Sequence, residues 1–155
     1  MPISFNDISL SEANQITNQI LKIAESDGGN PVAVTIVDAS GRLKSFAGMD
    51  GVVPASVKLS QSKAYSSVIG QKDTIHWASF PKNNEVVDFD MRNWTDENFS
   101  GFTGGVVILY EDRVIGGIGV SGRKGKISGS ETQLQDNELA EYGRNYFLNE
   151  ILKKS

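Results

Sequence analysis

Two pairs of β-rich runs constrain this chain more than any other feature. The run PVAVTIVD over 31–38 is nearly all apolar and rich in β-branched residues, and reads as a central strand. The turn signal Asp38-Ala39-Ser40-Gly41 follows, and Arg42–Phe46 then alternates as a partner strand would. The second pair, Gly105–Tyr110 and Val114–Val120, flanks Glu111-Asp112-Arg113. Runs joined this tightly pair antiparallel, because a parallel crossover needs a far longer connection. Two hairpins in series therefore predict an antiparallel sheet with helices against it, an α+β domain.

Three helices fill the intervals. Ser9-Leu10-Ser11-Glu12 reads as a capping box, with the Ser9 hydroxyl accepting from the Glu12 N–H and Glu12 reaching back. Ala13, Ile16, Ile20, Ile23 and Ala24 then share one face, and Gly28-Gly29 ends the helix. A second helix is expected from Pro54 to about Ile69, with Val57, Ala64 and Val68 on one face and Gly70 at its end. A last helix is expected after Ser130 as its cap, with Ala140, Gly143, Phe147 and Ile151 facing inward. Between these, Asp73–Ala78 suits a helical turn, and the polar segment 82–100 reads as a long loop with a short strand at Glu85–Phe89. Trp77, Phe80, Phe89, Trp94 and Phe99 cluster around that loop. The order is α-β-β-α-loop-β-β-α in one domain over residues 1–155.

Composition excludes several kinds of chemistry. There is no cysteine, so disulfides, thiolate catalysis and cysteine-ligated metal centres are ruled out. A net charge of −4 argues against a nucleic-acid footprint. No apolar run approaches the roughly 18 residues of a membrane span. The first residues, MPISFNDISL, lack the features of a signal peptide, so a cytoplasmic location is expected. The single histidine, His76, leaves no histidine-rich metal site.

One motif invites a cofactor reading. Gly117-Ile118-Gly119-Val120-Ser121-Gly122 fits G-x-G-x-x-G, with Arg113, Arg123, Lys124 and Lys126 around it. A dinucleotide loop needs those glycines between a strand and a helix of a parallel unit. Here the first two lie inside a hairpin strand. They are better explained by something packing closely on that strand.

Four blocks in sequence carry a family likeness. They are VTIVDASGRLKSFAGMDG at 34–51, SVKLSQSKAYSS at 56–67, GFTGGVVILYEDRVIGGIGVSG at 101–122 and QDNELAEYG at 135–143. Together they resemble the GlcG/HbpS family, the "haem-degrading" or DUF336 group, which also includes the C-terminal domain of PduO-type corrinoid adenosyltransferases. The resemblance implies a profilin-like fold, assembly as homo-oligomers, and binding of a small molecule: haem in some members, cobalamin-related roles (a corrinoid) in others, and no settled activity or cofactor in many. In two places the chain departs from the family pattern. Gly48 stands where R-M-D-G has its arginine, and Val107 where G-G-V-P has its proline.

The same blocks nominate site residues. Met49 and Asp50 precede the second helix and could line a pocket; Asp-Gly is equally a turn signal. Lys63, in the K-A pair, could bind a carboxylate or act as a base, or could be a solvated helical lysine. The N–H groups of Gly104 and Gly105 could contact an anion, or the glycines could admit a close helix. Ser121 is a possible hydroxyl donor. Asp136 could be functional or simply favour the helix dipole; Glu131 is a weaker acid nearby. His76 is the obvious haem ligand by type, although it lies outside the matching blocks. Two readings result. One is a small-molecule-binding protein with a pocket of Met49, Asp50, Lys63, Gly104, Gly105 and Ser121. The other is a cofactor-independent isomerase, lyase or cyclase using Lys63 with Asp50 or Asp136.

Overall fold

The computed structural model describes residues 1–77, 95–123 and 133–154. Helix α1 spans Leu10–Ser26, strands β1 and β2 span Ala33–Asp38 and Leu43–Gly48, and helix α2 spans Pro54–Gly70. Strands β3 and β4 cover Gly105–Tyr110 and Arg113–Ser121, and helix α3 covers Asp136–Tyr146. The strands form one sheet in the order β2-β1-β4-β3 with every pairing antiparallel. The α+β reading and both hairpins hold. The expected strand at Glu85–Phe89, most of the 82–100 loop, Ser130 and Glu131 lie outside the described residues.

The helix ends follow local chemistry. Ser9 caps α1 by accepting from the Glu12 N–H at 3.1 Å. Glu12 returns to the Ser9 hydroxyl, which donates to its Oε1 at 2.8 Å, and not to a backbone N–H. Helix α3 begins at Asp136, where Glu138 accepts from the Gln135 N–H at 3.1 Å. It runs straight into a π-helical turn over Phe147–Ile151. The β3–β4 turn holds Glu111 and Asp112 at φ 49° and 62°, the doubly positive geometry of a tight hairpin.

The two faces of the sheet are built differently. Val34, Ile36, Val106, Ile108, Ile118 and Val120 face α1 and α3, and close an aliphatic core with Ile16, Ile20, Leu139 and Phe147. Burying each such side chain contributes about 1.5–3 kcal/mol. On the other face lies α2, whose buried residues are mostly serines: Ser56, Ser60, Ser62, Ser66 and Ser67. Only Val37, Ala64 and Val68 form an apolar cluster there.

Glycine explains that thin layer. Gly105 and Gly119 are cross-strand partners, as are Val107 and Gly117. A Cβ on Gly119 would overlap the Ser60 carbonyl oxygen and reach the Ala64 nitrogen at 2.6 Å. One on Gly117 would come within 2.9 Å of the Ala64 carbonyl, and one on Gly105 would overlap that of Lys63. The backbone of α2 therefore rests on the backbone of the sheet. With no room for large side chains between them, serines bond locally: Ser67 Oγ to the Ala64 carbonyl at 2.8 Å, and Ser60 Oγ with Thr35 Oγ1 at 2.8 Å. Of the G-x-G-x-x-G stretch, Gly117 and Gly119 thus seat α2, while Gly122 lies against the backbone of Pro31 and Val32.

The outer edge of β3 is closed by side chains. Thr74 Oγ1 accepts from the Gly105 N–H at 3.0 Å, and Asp73 Oδ1 accepts from the Val107 N–H at 3.0 Å. Arg144 Nη1 clasps Asp73 at 2.8 and 2.9 Å and also donates to the Val107 carbonyl at 3.3 Å. Here the departure from the family proline has a physical account: a proline at 107 would have no N–H for Asp73. Among the described residues, no helix is long and apolar enough to cross a membrane.

Gly119→Ala is expected to cost about 3 kcal/mol or more, because the atoms it meets are helix backbone and cannot step aside. Urea denaturation measures this, and a loss under about 1 kcal/mol would contradict the account of the α2 layer.

Candidate functional site

Seating α2 on glycines carries Lys63 to the end of the sheet. Its Cα is on one face, while its ammonium reaches past the last residues of β4. There Lys63 Nζ donates to the Val120 carbonyl at 3.0 Å and to Asp136 Oδ2 at 3.0 Å. Lys63 is 3% exposed, so it is no solvated helical lysine. Asp136 is the first residue of α3, on the opposite face. Its other oxygen, Oδ1, accepts from the Arg123 N–H at 2.8 Å. One carboxylate thus ties together α2, the end of β4 and the start of α3. Breaking a buried pair of this kind by removing one partner typically costs about 3–5 kcal/mol.

Gly104 makes room for the pair. It sits at φ +119°, and a Cβ there would meet Val120 O at 2.5 Å and Lys63 Nζ at 3.1 Å. Its carbonyl accepts from the Val120 N–H at 2.9 Å. Gly104 is therefore a spacer for the site, and Gly105 belongs to the α2 contact.

A cleft of about 330 Å³ opens over this pair. Helix α2 supplies Ser56, Leu59 and Lys63 to its wall, with Val53 just before the helix. Phe102 and Thr103, before β3, face Ser121, Gly122 and Asp136. Ser56 and Ser121 are 6% and 4% exposed, yet neither hydroxyl makes a hydrogen bond among the described residues. Lys63 uses two of its three N–H bonds. The cleft thus gathers three donors that await an acceptor. Its lips are apolar and open, Phe102 at 65% and Val53 at 47% exposure.

The structure sorts the expected site residues into two groups. Lys63, Ser121 and Asp136 meet in the cleft, with Gly104 directly beneath. Met49, Asp50 and His76 do not line it. Met49 packs on the main core, and its Sδ accepts from the Val32 N–H at 3.3 Å. Asp50 is exposed in a turn closed by the Val52 N–H to the Met49 carbonyl at 3.1 Å, with Gly51 at φ +82°. His76 is exposed in a helical turn over 74–77 and lines a separate depression with Lys72, Asp73 and Ile75. Among the described residues, no group of three or more His, Asp or Glu could hold a metal ion.

Arg123 was visible in the sequence only as part of a basic cluster. Its guanidinium is buried and donates to Asp27 Oδ2 at 2.9 Å and to the Ala24 carbonyl at 3.0 Å. It thereby caps the C-terminal end of α1, where a cation is favoured. Burial alone would raise the Asp27 carboxyl. The N–H groups of Leu134 and Gly29 and the Arg123 guanidinium outweigh it and hold Asp27 below the usual aspartate range. Arg123 is thus a strut, fixing the chain that leads from Ser121 and Gly122 into the cleft.

The comparisons with known proteins can be set on this geometry. A family model described as "Haem degrading protein HbpS-like" matches residues 8–145. The GlcG protein of Escherichia coli (strain K12) is 27% identical over 90 residues, which is 58% of this chain and 63% of that protein. The alignment therefore spans less than two thirds of that relative. A Klebsiella pneumoniae protein, ORFY, of the DUF336 family, superposes with a TM-score of 0.79 at 23% identity, covering 96% of this chain and 95% of that one. The structure of a PduOC–haem complex gives 0.75 at 22% identity, covering 90% and 94%. A structure of HbpS gives 0.73 at 21%, covering 93% and 92%. These likenesses carry the fold.

A folded carboxyl held below its ordinary value contributes stability above that value and loses it as pH falls through the carboxylate range. Asp27→Asn should therefore destabilise the protein at pH 7, and the gap from wild type should shrink as pH drops below the ordinary aspartate value. Denaturant midpoints at neutral and acid pH check this. A gap that stays constant would remove the Asp27–Arg123 strut from the account.

Proposed function

We propose that the chain, which belongs to the HbpS-like family, is a small-molecule-binding protein whose ligand is a flat, apolar, carboxylate-bearing molecule of the tetrapyrrole kind. The observation that carries this is the convergence of the Ser56 and Ser121 hydroxyls and the remaining N–H of Lys63 on one cleft with open apolar lips. A carboxylate received there gains a charge-assisted hydrogen bond from Lys63. The N-terminus of α3 adds its partial positive charge. Phe102 and Val53 offer a platform for the apolar body. At about 330 Å³ the cleft is at the small end for ligand pockets and would enclose one edge of a macrocycle. The haem in the PduOC structure makes haem the first ligand to try.

The lining residues suit the carboxylates of haem and do not suit its iron. Among the described residues, none that lines the cleft is a histidine, methionine, cysteine or tyrosine, the usual axial ligands. His76 sits outside the cleft. The mode of holding is therefore through the ligand's periphery.

The enzymatic alternative has less support. Lys63 Nζ is already engaged by the Val120 carbonyl and the Asp136 carboxylate, which orients it as a donor into the cleft. Asp50 is exposed in its turn and does not line the cleft. The pair is built to hold an acceptor.

Haemin and iron-free protoporphyrin IX, titrated separately, test this reading. Both should bind saturably and within about tenfold of one another, since the iron gains no protein ligand. The double variant Lys63→Met/Asp136→Asn removes both charges with little change in volume. It should weaken both ligands at least about tenfold. His76→Ala should bind as wild type does. Absence of saturable binding by either tetrapyrrole, or a double variant that binds as tightly as wild type, would overturn the reading.

A further inference from the structure

Helix α2 serves a second cleft on its other flank. Lys58, Gln61, Ser62 and Tyr65 are spaced to share one side of the helix, away from the side that carries Ser56, Leu59 and Lys63. That side faces the β1–β2 hairpin across a cleft of about 230 Å³, with Val37 and Leu43 as its apolar wall and Asn98 at its edge.

The cleft presents a serine hydroxyl from the wall of α2. Ser62 is 6% exposed, and its hydroxyl makes no hydrogen bond among the described residues. Three other serines of α2 use theirs: Ser66 Oγ donates to the Ser62 carbonyl at 2.6 Å, and Ser67 and Ser60 are bonded as described above. A serine that could bond back along its helix and does not is open to an acceptor from the cleft.

The polar rim is fixed in place. Lys58 Nζ donates to Asn98 Oδ1 at 2.7 Å, and the Asn98 N–H donates to Asp96 Oδ1 at 2.9 Å. Tyr65 donates its hydroxyl proton to Asp96 Oδ2. That bond, together with burial and the Asp96 charge, raises the Tyr65 hydroxyl above its ordinary range and keeps it neutral. Asp96 does not line the cleft, so among the described residues Lys58 is the one ionised side chain in its lining. Two of the three Lys58 N–H bonds are left for an incoming group.

We propose that this cleft is a second binding site, separate from the Lys63 cleft, that takes a short-chain carboxylate. The carboxylate is received by Lys58 Nζ and Ser62 Oγ, and the alkyl chain lies on Val37 and Leu43. The small volume favours a chain of a few carbons. The single lysine favours one negative charge.

Butyrate is the probe, with butyramide as its neutral match. In ¹H–¹⁵N correlation spectra, butyrate should shift the amides of Ser62, Lys58 and Asn98 saturably, and butyramide should leave them largely unmoved. Ser62→Ala and Lys58→Gln should each weaken butyrate at least about tenfold. Ser62→Ala removes one oxygen and Lys58 is exposed, so both variants should keep the wild-type spectrum elsewhere. The Lys63→Met/Asp136→Asn variant should bind butyrate as wild type does, which separates this site from the tetrapyrrole reading. Shifts that fail to saturate, equal shifts with butyramide, or undiminished binding by both single variants would each overturn the proposal.

Discussion

Everything distinctive about this structure depends on backbone lying against backbone where α2 crosses β3 and β4. Gly105, Gly117 and Gly119 allow it, and no other residue type would. A helix held off by ordinary side chains would sit farther from the sheet, and Lys63 would fall short of Val120 and Asp136. The close contact sets the reach of one lysine, and that reach creates the cleft. It also leaves α2 so thinly covered that clefts open along both of its flanks. The aliphatic core on the opposite face, between the sheet and helices α1 and α3, supplies the stability that this polar layer does not.

Asp136 turns that reach into a fixed geometry. It receives Lys63 from one side of the sheet and the Arg123 N–H from the end of β4, while it opens α3 on the other side. Arg123 continues the connection to Asp27 and the end of α1. A short series of charged contacts thus links all three described α-helices around one end of the sheet. A site so braced is preorganised, and a bound carboxylate would find Lys63 already in position.

The fold was largely legible in the sequence, because strand pairs and turn residues are local signals. PVAVTIVD and the DASG turn declare a hairpin without reference to anything distant, as do the runs around Glu111 and Asp112. Helix α2 was placed correctly but for an incomplete reason. Its buried face is mostly serine, so apolar periodicity found Ala64 and Val68, which do meet the sheet, but not the serines beside them. The glycines were recognised as a place of close approach, although the sequence could not say which helix approached.

The site was legible in part. Lys63, Ser121 and Asp136 are 15 to 73 positions apart, and only the family pattern suggested that they belong together. That same pattern drew in Met49 and Asp50, which do not line the cleft: Met49 packs on the main core and Asp50 lies in a turn. Arg123 was hidden because a basic run looks solvated in sequence, and only its burial against Asp27 reveals a strut. The most direct measurement is ¹⁵N-detected NMR of the Lys63 ammonium in the intact protein, with and without iron-free protoporphyrin IX. The account predicts one slowly exchanging Lys63 Nζ signal that moves saturably as the ligand binds. Saturable binding that leaves this signal unmoved would place the ligand elsewhere and contradict the account.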